Sequence, residues 1–272
     1  MTEAVIRRTA SGKIRIDCID KNRSAIFFLI GMALLSMLGL IYLDIPWFKM
    51  LARVPQMGLV FWKLGHFEFS HFDLIGSALL ETISIAVLST IYSLILSLFF
   101  GMLAAENIFK CRILSSAVKA FFTFLRAVPT PVWVLFMMIC IGMGPSAGIA
   151  GLCVHTTAFF TRAFAQSFEA VPSETIEALQ SAGASKVSVF LNAILPSAIP
   201  ELIAWTGMRF EINFSECAIL GMVGAGGIGY VISTHIEGYE YGTAGLAIFS
   251  VFAIAFCIER AFIWIKSKQR TW

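Results

Sequence analysis

Long runs of apolar positions, separated by short polar connectors, dominate this 272-residue chain. Residues 25–43, AIFFLIGMALLSMLGLIYL, hold no charge, and residues 77–103, SALLETISIAVLSTIYSLILSLFFGML, hold only Glu81. A third run, 113–141, is interrupted by RAVPTP, where Pro129 and Pro131 break helix geometry. Residues 145–165, 197–222 and 243–265 complete the series. Crossing a bilayer takes about 20 mostly apolar residues in a helix, because only a helix or a closed barrel satisfies the backbone in lipid. The pattern therefore predicts an all-α polytopic membrane protein with about six transmembrane helices. The third and fifth runs are the unusual ones, since Arg126 and Arg209 lie inside them.

Composition supports lipid as part of the solvent. The chain is 58% hydrophobic and 14% charged, with 25 phenylalanines, whereas a soluble domain carries about 25% charged residues. A net charge of +3 is too slight to argue for nucleic acid. Cys18, Cys111, Cys140, Cys153, Cys217 and Cys257 lie far apart, which suits neither a disulfide framework nor a zinc site. The first 24 residues are polar and basic, so no cleavable signal peptide is expected.

Charge placement predicts orientation. One side collects fourteen cations: Arg7, Arg8, Lys13, Arg15, Lys21 and Arg23, then Lys110, Arg112 and Lys119, then Arg162 and Lys186, and finally Lys266, Lys268 and Arg270. The other side has three, Lys49, Arg53 and Lys63. Both termini are thus expected in the cytoplasm, as an even number of spans requires. The expected organisation is a cytoplasmic tail (1–24), a first helix with an external interfacial loop (25–76), a core (77–265) containing a cytoplasmic loop at 166–196, and a second tail (266–272).

The external loop 44–76 carries Trp47, Phe48 and Trp62 among scattered charges and reads as an amphipathic piece at the interface. Within it His66, Glu68, His71 and Asp73 stand close together. H-x4-H lacks the glutamate spacing of zinc proteases, and the phenylalanines between favour an interfacial segment, so no metal is expected.

Residues 166–196, QSFEAVPSETIEALQSAGASKVSVFLNAILP, have helical character. Pro172 and Ser173 can start a helix, Glu174 and Glu177 favour its positive end, and Gly183 can stop it. Ser185 can cap a second helix running to Pro196. Two helices about a glycine turn would form a compact knob or a hairpin lying on the bilayer; shape alone leaves both open.

EALQSAG followed by AILP resembles the EAA loop of ABC-transporter permeases: Glu-Ala-Ala, three residues, Gly, nine residues, then Ile-x-Leu-Pro. Glu177, Ala178, Gly183, Leu195 and Pro196 match it, while Leu179 and Ala193 depart from it. LRAVPTPVWVLFMM (125–138), residues 142–172, and RFEINF with AILGMVGAGGIGY resemble phosphonate-type permeases, the likeness covering roughly 75–265. The resemblance implies a type I ABC importer permease bundle whose loop docks on a cytoplasmic ATPase dimer. It further implies an external solute-binding protein and a homodimer, two copies being needed to enclose a path. The chain has no G-x-x-x-x-G-K-[ST] segment. Hence it is expected to bind no cofactor and to be no enzyme, with ATP and Mg used by the partner.

Gly224, Gly226 and Gly229 also spell G-x-G-x-x-G. A dinucleotide turn needs a preceding strand and an acid about 20 residues on; Glu237 and Glu240 come too early, and an apolar span precedes the glycines. Gly224, Gly226, Gly227 and Gly229 therefore read as a re-entrant segment at an outer gate, or as a packing turn.

Charges inside spans are costly and default to functional candidates. Arg126, Arg209, Glu211, Asn213 and Glu216 form the candidate translocation path. Arg209 shares a helix face with Asn213 and Glu216, and an internal Arg209–Glu216 ion pair is the plain alternative. Glu211 faces away from Glu216, toward another helix, and His155 reads as packed polar lining. Ser215 and Glu216 stand where phosphonate-type permeases often carry a basic residue, which favours a zwitterion such as 2-aminoethylphosphonate. The runner-up is an ion-coupled secondary transporter, although no internal repeat supports it.

Overall fold

The computed structural model describes residues 23–109 and 111–269, with the side chains of Arg23 and 266–269 left aside. Cations expected on the tails (Arg7, Arg8, Lys13, Arg15, Lys21, Arg270), together with Lys110 and Cys18, lie outside the described residues. All regular structure among the described residues is helical: α1 (Arg23–Tyr42), α2 (Trp47–Ala52), α3 (Val54–Gly65), α4 (Phe72–Ala104), α5 (Arg112–Ala127), α6 (Thr130–Ile141), α7 (Pro145–Glu169), α8 (Ser173–Ser181), α9 (Lys186–Val189), α10 (Leu195–Leu220), α11 (Ile228–Glu237) and α12 (Tyr241–Gln269). Single π-turns, Phe190–Ile194 and Gly221–Ala225, bracket α10. The chain divides into two compact units, 1–59 and 60–272. In the first, α1 is apolar all round rather than striped, as a helix surrounded by lipid must be.

In the second unit α7 is the central element, flanked by α4, α5, α6 and α10. Among the described residues, four helical stretches are long and apolar enough to cross a membrane: Ser24–Tyr42, Phe72–Ala104, Lys186–Ala225 and Tyr241–Ile265. The third predicted run is not one straight helix. Pro129 cannot continue α5, and α6 leaves it at 88°, so the bent pair together makes a fifth. The fourth predicted run, α7, forms a 25-residue helix but is less apolar than a lipid-facing span. Burial explains the difference: its neighbours, not lipid, touch Gly148, Gly151, Thr156, Thr157 and Thr161. At Gly151 a Cβ would stand 2.5 Å from the Val134 backbone, so α6 reaches α7 only because that position is glycine.

Interlocking contacts define the two ends of the bundle. At one end the α4 terminus, the start of α5 and the α7 terminus meet. Lys119 lies 2.8 Å from Glu169 and 3.8 Å from Glu106, and Asn107 donates to the Phe168 carbonyl at 2.6 Å. The hairpin of α8 and α9 sits at this end, held by Val171, Ile176, Val189, Phe190 and Ile194 in one apolar cluster with Phe160, Phe164 and Phe168. Gly183 takes φ +84° at the expected stop, and Ser185 accepts from the Ser188 amide at 3.2 Å as the expected cap. The second hairpin helix, however, does not end at Pro196. It passes through the π-turn directly into α10, and Pro196, which has no amide hydrogen to donate, falls just after that turn without ending the helix.

At the opposite end, the segment after α10 folds back on the bundle. The Gly144 amide donates to the Gly224 carbonyl at 3.1 Å, and the Ile228 amide donates to the buried Thr82 hydroxyl at 2.8 Å.

Candidate translocation site

A polar ladder crosses the centre of an otherwise apolar interface. Asn213 and Arg209 on α10 are buried, as are Thr156 on α7 and Thr90 on α4. Asn213 Nδ2 donates to Thr90 Oγ1 at 3.0 Å, and Thr156 Oγ1 donates to Asn213 Oδ1 at 2.9 Å. The Arg209 guanidinium spends one donor on Thr156 Oγ1 at 3.3 Å, one on His155 Nδ1 at 3.0 Å and one on Glu216 Oε2 at 3.3 Å. The i, i+7 geometry that places Arg209 and Glu216 on one face thus delivers an ion pair. Each rung is satisfied by a neighbour, which is the condition for polar groups to persist in an apolar interior.

The ladder ends at open space. Pro129, Thr130 and Pro131, from the α5–α6 break, line a cavity of about 340 Å³ with His155, Glu216, Ile219 and Leu220. Arg126, the last-turn cation of α5, has no acidic partner among the described residues; its guanidinium lies over the Phe159 ring at 5.4 Å. Arg209 lies over the same ring at 5.7 Å. Two cations therefore converge on one aromatic ring while a single carboxylate, Glu216, faces Arg209. Arg209 reaches the cavity lining through His155 and Glu216, and Glu216 is the charged side chain that meets the cavity itself. Asn213 does not reach the cavity wall and acts as scaffold. Glu211 points elsewhere, into a groove of about 240 Å³ that it lines with Glu259, Gly207 and Phe262.

The glycine segment is built by close approach. Gly224, Gly226 and Gly227 take φ of +110°, +83° and +71°, backbone that other residues rarely adopt. A Cβ at Gly226 would stand 2.6 Å from Glu81 Oε1, and one on Gly229 would overlap the Ala218 carbonyl. No strand precedes these glycines among the described residues, so the dinucleotide reading has no structural basis. The hairpin residues Glu177, Ala178 and Gly183 are exposed, as is Pro196, while Leu195 is half-buried. Sequence reasoning overlooked Thr90, Phe159 and Thr82. A lone threonine or phenylalanine in an apolar run carries no signal until its neighbour across the interface is known.

Known proteins of this architecture share the chain's pattern. The family model described as "Binding-protein-dependent transport system inner membrane component" matches residues 97–268, and the chain belongs to that family. Among curated relatives, the phosphate-import permease protein PhnE of Mycolicibacterium smegmatis is 31% identical over 202 residues, which is 73% of this chain and 38% of that protein. The phosphite transport system permease protein PtxC of Stutzerimonas stutzeri is 26% identical over 181 residues, 66% of each chain. The chain thus spans about two fifths of the length of the first relative. An inward-facing structure of the MetNI methionine ABC transporter superposes with a TM-score of 0.68 at 22% identity, covering 74% of this chain and 98% of the other. A bacterial ABC transporter for import of the acidic polysaccharide alginate superposes with a TM-score of 0.57 at 15% identity, covering 92% and 97%. The fold is that of a type I ABC importer permease.

Proposed function

We propose that the chain is the membrane permease of an ATP-driven importer for phosphonates or related phosphorus oxyanions. The observation that carries this reading is the convergence of Arg126 and Arg209 on Phe159 beside the cavity at the α5–α6 break. Relatives named for phosphate and phosphite point to the same chemical class. A separate ATPase docks on the exposed hairpin face of Glu177, Ala178 and Gly183 and supplies ATP and Mg chemistry; this chain binds no cofactor of its own. An external binding protein delivers solute at the end carrying the glycine segment, and two copies enclose the path. Both termini then lie in the cytoplasm of a bacterial inner membrane. Arg126, Arg209 and Glu216 border the solute path, Asn213 holds the ladder, and Gly224, Gly226, Gly227 and Gly229 form its outer closure.

The test is uptake in proteoliposomes holding this chain with a cognate ATPase and binding protein. Phosphonate accumulation is expected only with ATP inside, and is lost when Glu177 or Gly183 is replaced by a bulky residue. Accumulation by this chain alone, without nucleotide, would overturn the reading. The carboxylate of Glu216 extends it to aminophosphonates. Glu216→Gln is expected to slow 2-aminoethylphosphonate uptake relative to methylphosphonate, and equal effects on both would remove the zwitterion.

A further inference from the structure

Outside the translocation site, three side chains meet at the end of the bundle that carries the glycine segment. His71 precedes α4, His235 sits in the last turn of α11, and Glu240 lies between α11 and α12. One ligand atom from each lies within 4.8 Å of the others. We propose that His71, His235 and Glu240 form a binding site for a divalent transition metal of the Zn²⁺ class, joining α4 to α11 and to the start of α12.

Local chemistry prepares two of the three groups. His235 is about nine-tenths buried, and its Nδ1 lies 2.8 Å from the Val231 carbonyl. Donation there fixes the proton on Nδ1 and turns the Nε2 lone pair toward Glu240, the arrangement that orients metal-bound imidazoles. His235 Nε2 and Glu240 Oε2 are 3.5 Å apart. Two ligands each about 2.1 Å from a tetrahedral ion stand roughly 3.4 Å apart, so this edge already has the right length. The backbone holds it there: Glu240 N donates to the His235 carbonyl at 2.8 Å, closing the helix end around Tyr239 at φ +61°.

His71 supplies the third position. Although it stands at the N-cap of α4, its side chain makes no capping bond, and its ring lies 5.5 Å from that of His235. Two imidazoles placed together offer two nitrogen ligands to one shared cation. Bringing all three atoms to a common ion needs a closure of up to about 1.4 Å, within the reach of an exposed His71 rotating about its side-chain torsions. Beside Glu240 a concavity of about 630 Å³, lined also by His66, Glu68 and Tyr241, gives an ion a way in. The sequence had grouped His71 with His66, Glu68 and Asp73. The fold pairs it with residues more than 160 positions away instead, and His66 Nδ1 is engaged at 2.9 Å by the Trp62 carbonyl.

The proposal does not depend on what the chain transports. The test is equilibrium dialysis of the full chain in lipid nanodiscs, stripped of metal and then titrated with Zn²⁺. Glu240→Gln and His71→Ala are the variants, both at exposed positions. One Zn²⁺ per chain above the variants' level is expected, with affinity lowered about tenfold or more in each variant. Co²⁺ in place of Zn²⁺ should give the visible absorption of a low-symmetry site in the wild type only. Binding that is absent, or equal in wild type and both variants, overturns the site; the thiols are common to all three proteins and cancel.

Discussion

Arg209 shows how a single residue can be read correctly and still incompletely. Its pairing with Glu216 follows from helical spacing, and its face is shared with Asn213, as the sequence predicts. The partners that make it tolerable in an apolar interior, Thr156 and His155 on α7, are invisible until α7 is laid against α10. Arg126 makes the same point: its neighbour cannot be named from the sequence, and the structure supplies an aromatic face. Because Arg209 is buried and Glu216 three-quarters so, Arg209→Met leaves a carboxylate facing apolar surroundings. It should cost about 3–5 kcal/mol, read as a lower melting temperature in detergent. Thr90→Val strips only one hydrogen bond from Asn213 and should cost about 1–3 kcal/mol. A smaller loss for Arg209→Met than for Thr90→Val would mean that the ion pair contributes nothing to the fold.

Among the elements, apolar runs predict helices well and fail where helix pairs meet. The first, second, fifth and sixth runs emerge as long helices. Pro129 signals an interruption, but not that α6 would turn by 88° and bring Thr130 to the cavity, since an angle is set by what the second helix packs against. The hairpin is legible at Gly183 and Ser185 because caps are local chemistry. Its merger with α10 is not, because a proline reads as a stop when the π-turn that accommodates it is unknown. Two glycines separate these effects. Gly229→Ala sets a methyl against the Ala218 carbonyl and should prevent α11 from seating, seen as loss of folded protein in the membrane. Gly183→Ala meets open space and suffers only its left-handed φ, about 1–2 kcal/mol. That variant should fold, and a loss of uptake would then bear on the docking proposed for the hairpin.

For the whole molecule, class was the most legible feature. Of the cations expected on one side, Lys119 stands beside Glu169 at the end of α7 from which the α8–α9 hairpin follows. Less legible was the centre. The most buried helix, α7, is the least apolar of the predicted spans because a helix wrapped by other helices is selected for fit, with small and hydroxyl-bearing residues. The proposed pairing of two copies predicts a native mass in nanodiscs of twice the chain's own, and a single-chain mass at all concentrations would refute it.

Continuity between the hairpin and α10 has a mechanical corollary. From Lys186 through the π-turn at Phe190–Ile194 to Leu220 the chain is helical, roughly 50 Å at the rise of an α-helix. One continuous arm therefore begins at the hairpin proposed to meet the ATPase, passes Arg209 and Glu216 along its length, and ends at the kink of Gly224. On a rod that long, a tilt of one degree at the near tip swings the far tip by about 1 Å, so a stroke of a few degrees would suffice to unseat the glycines without any change of shape within the arm itself.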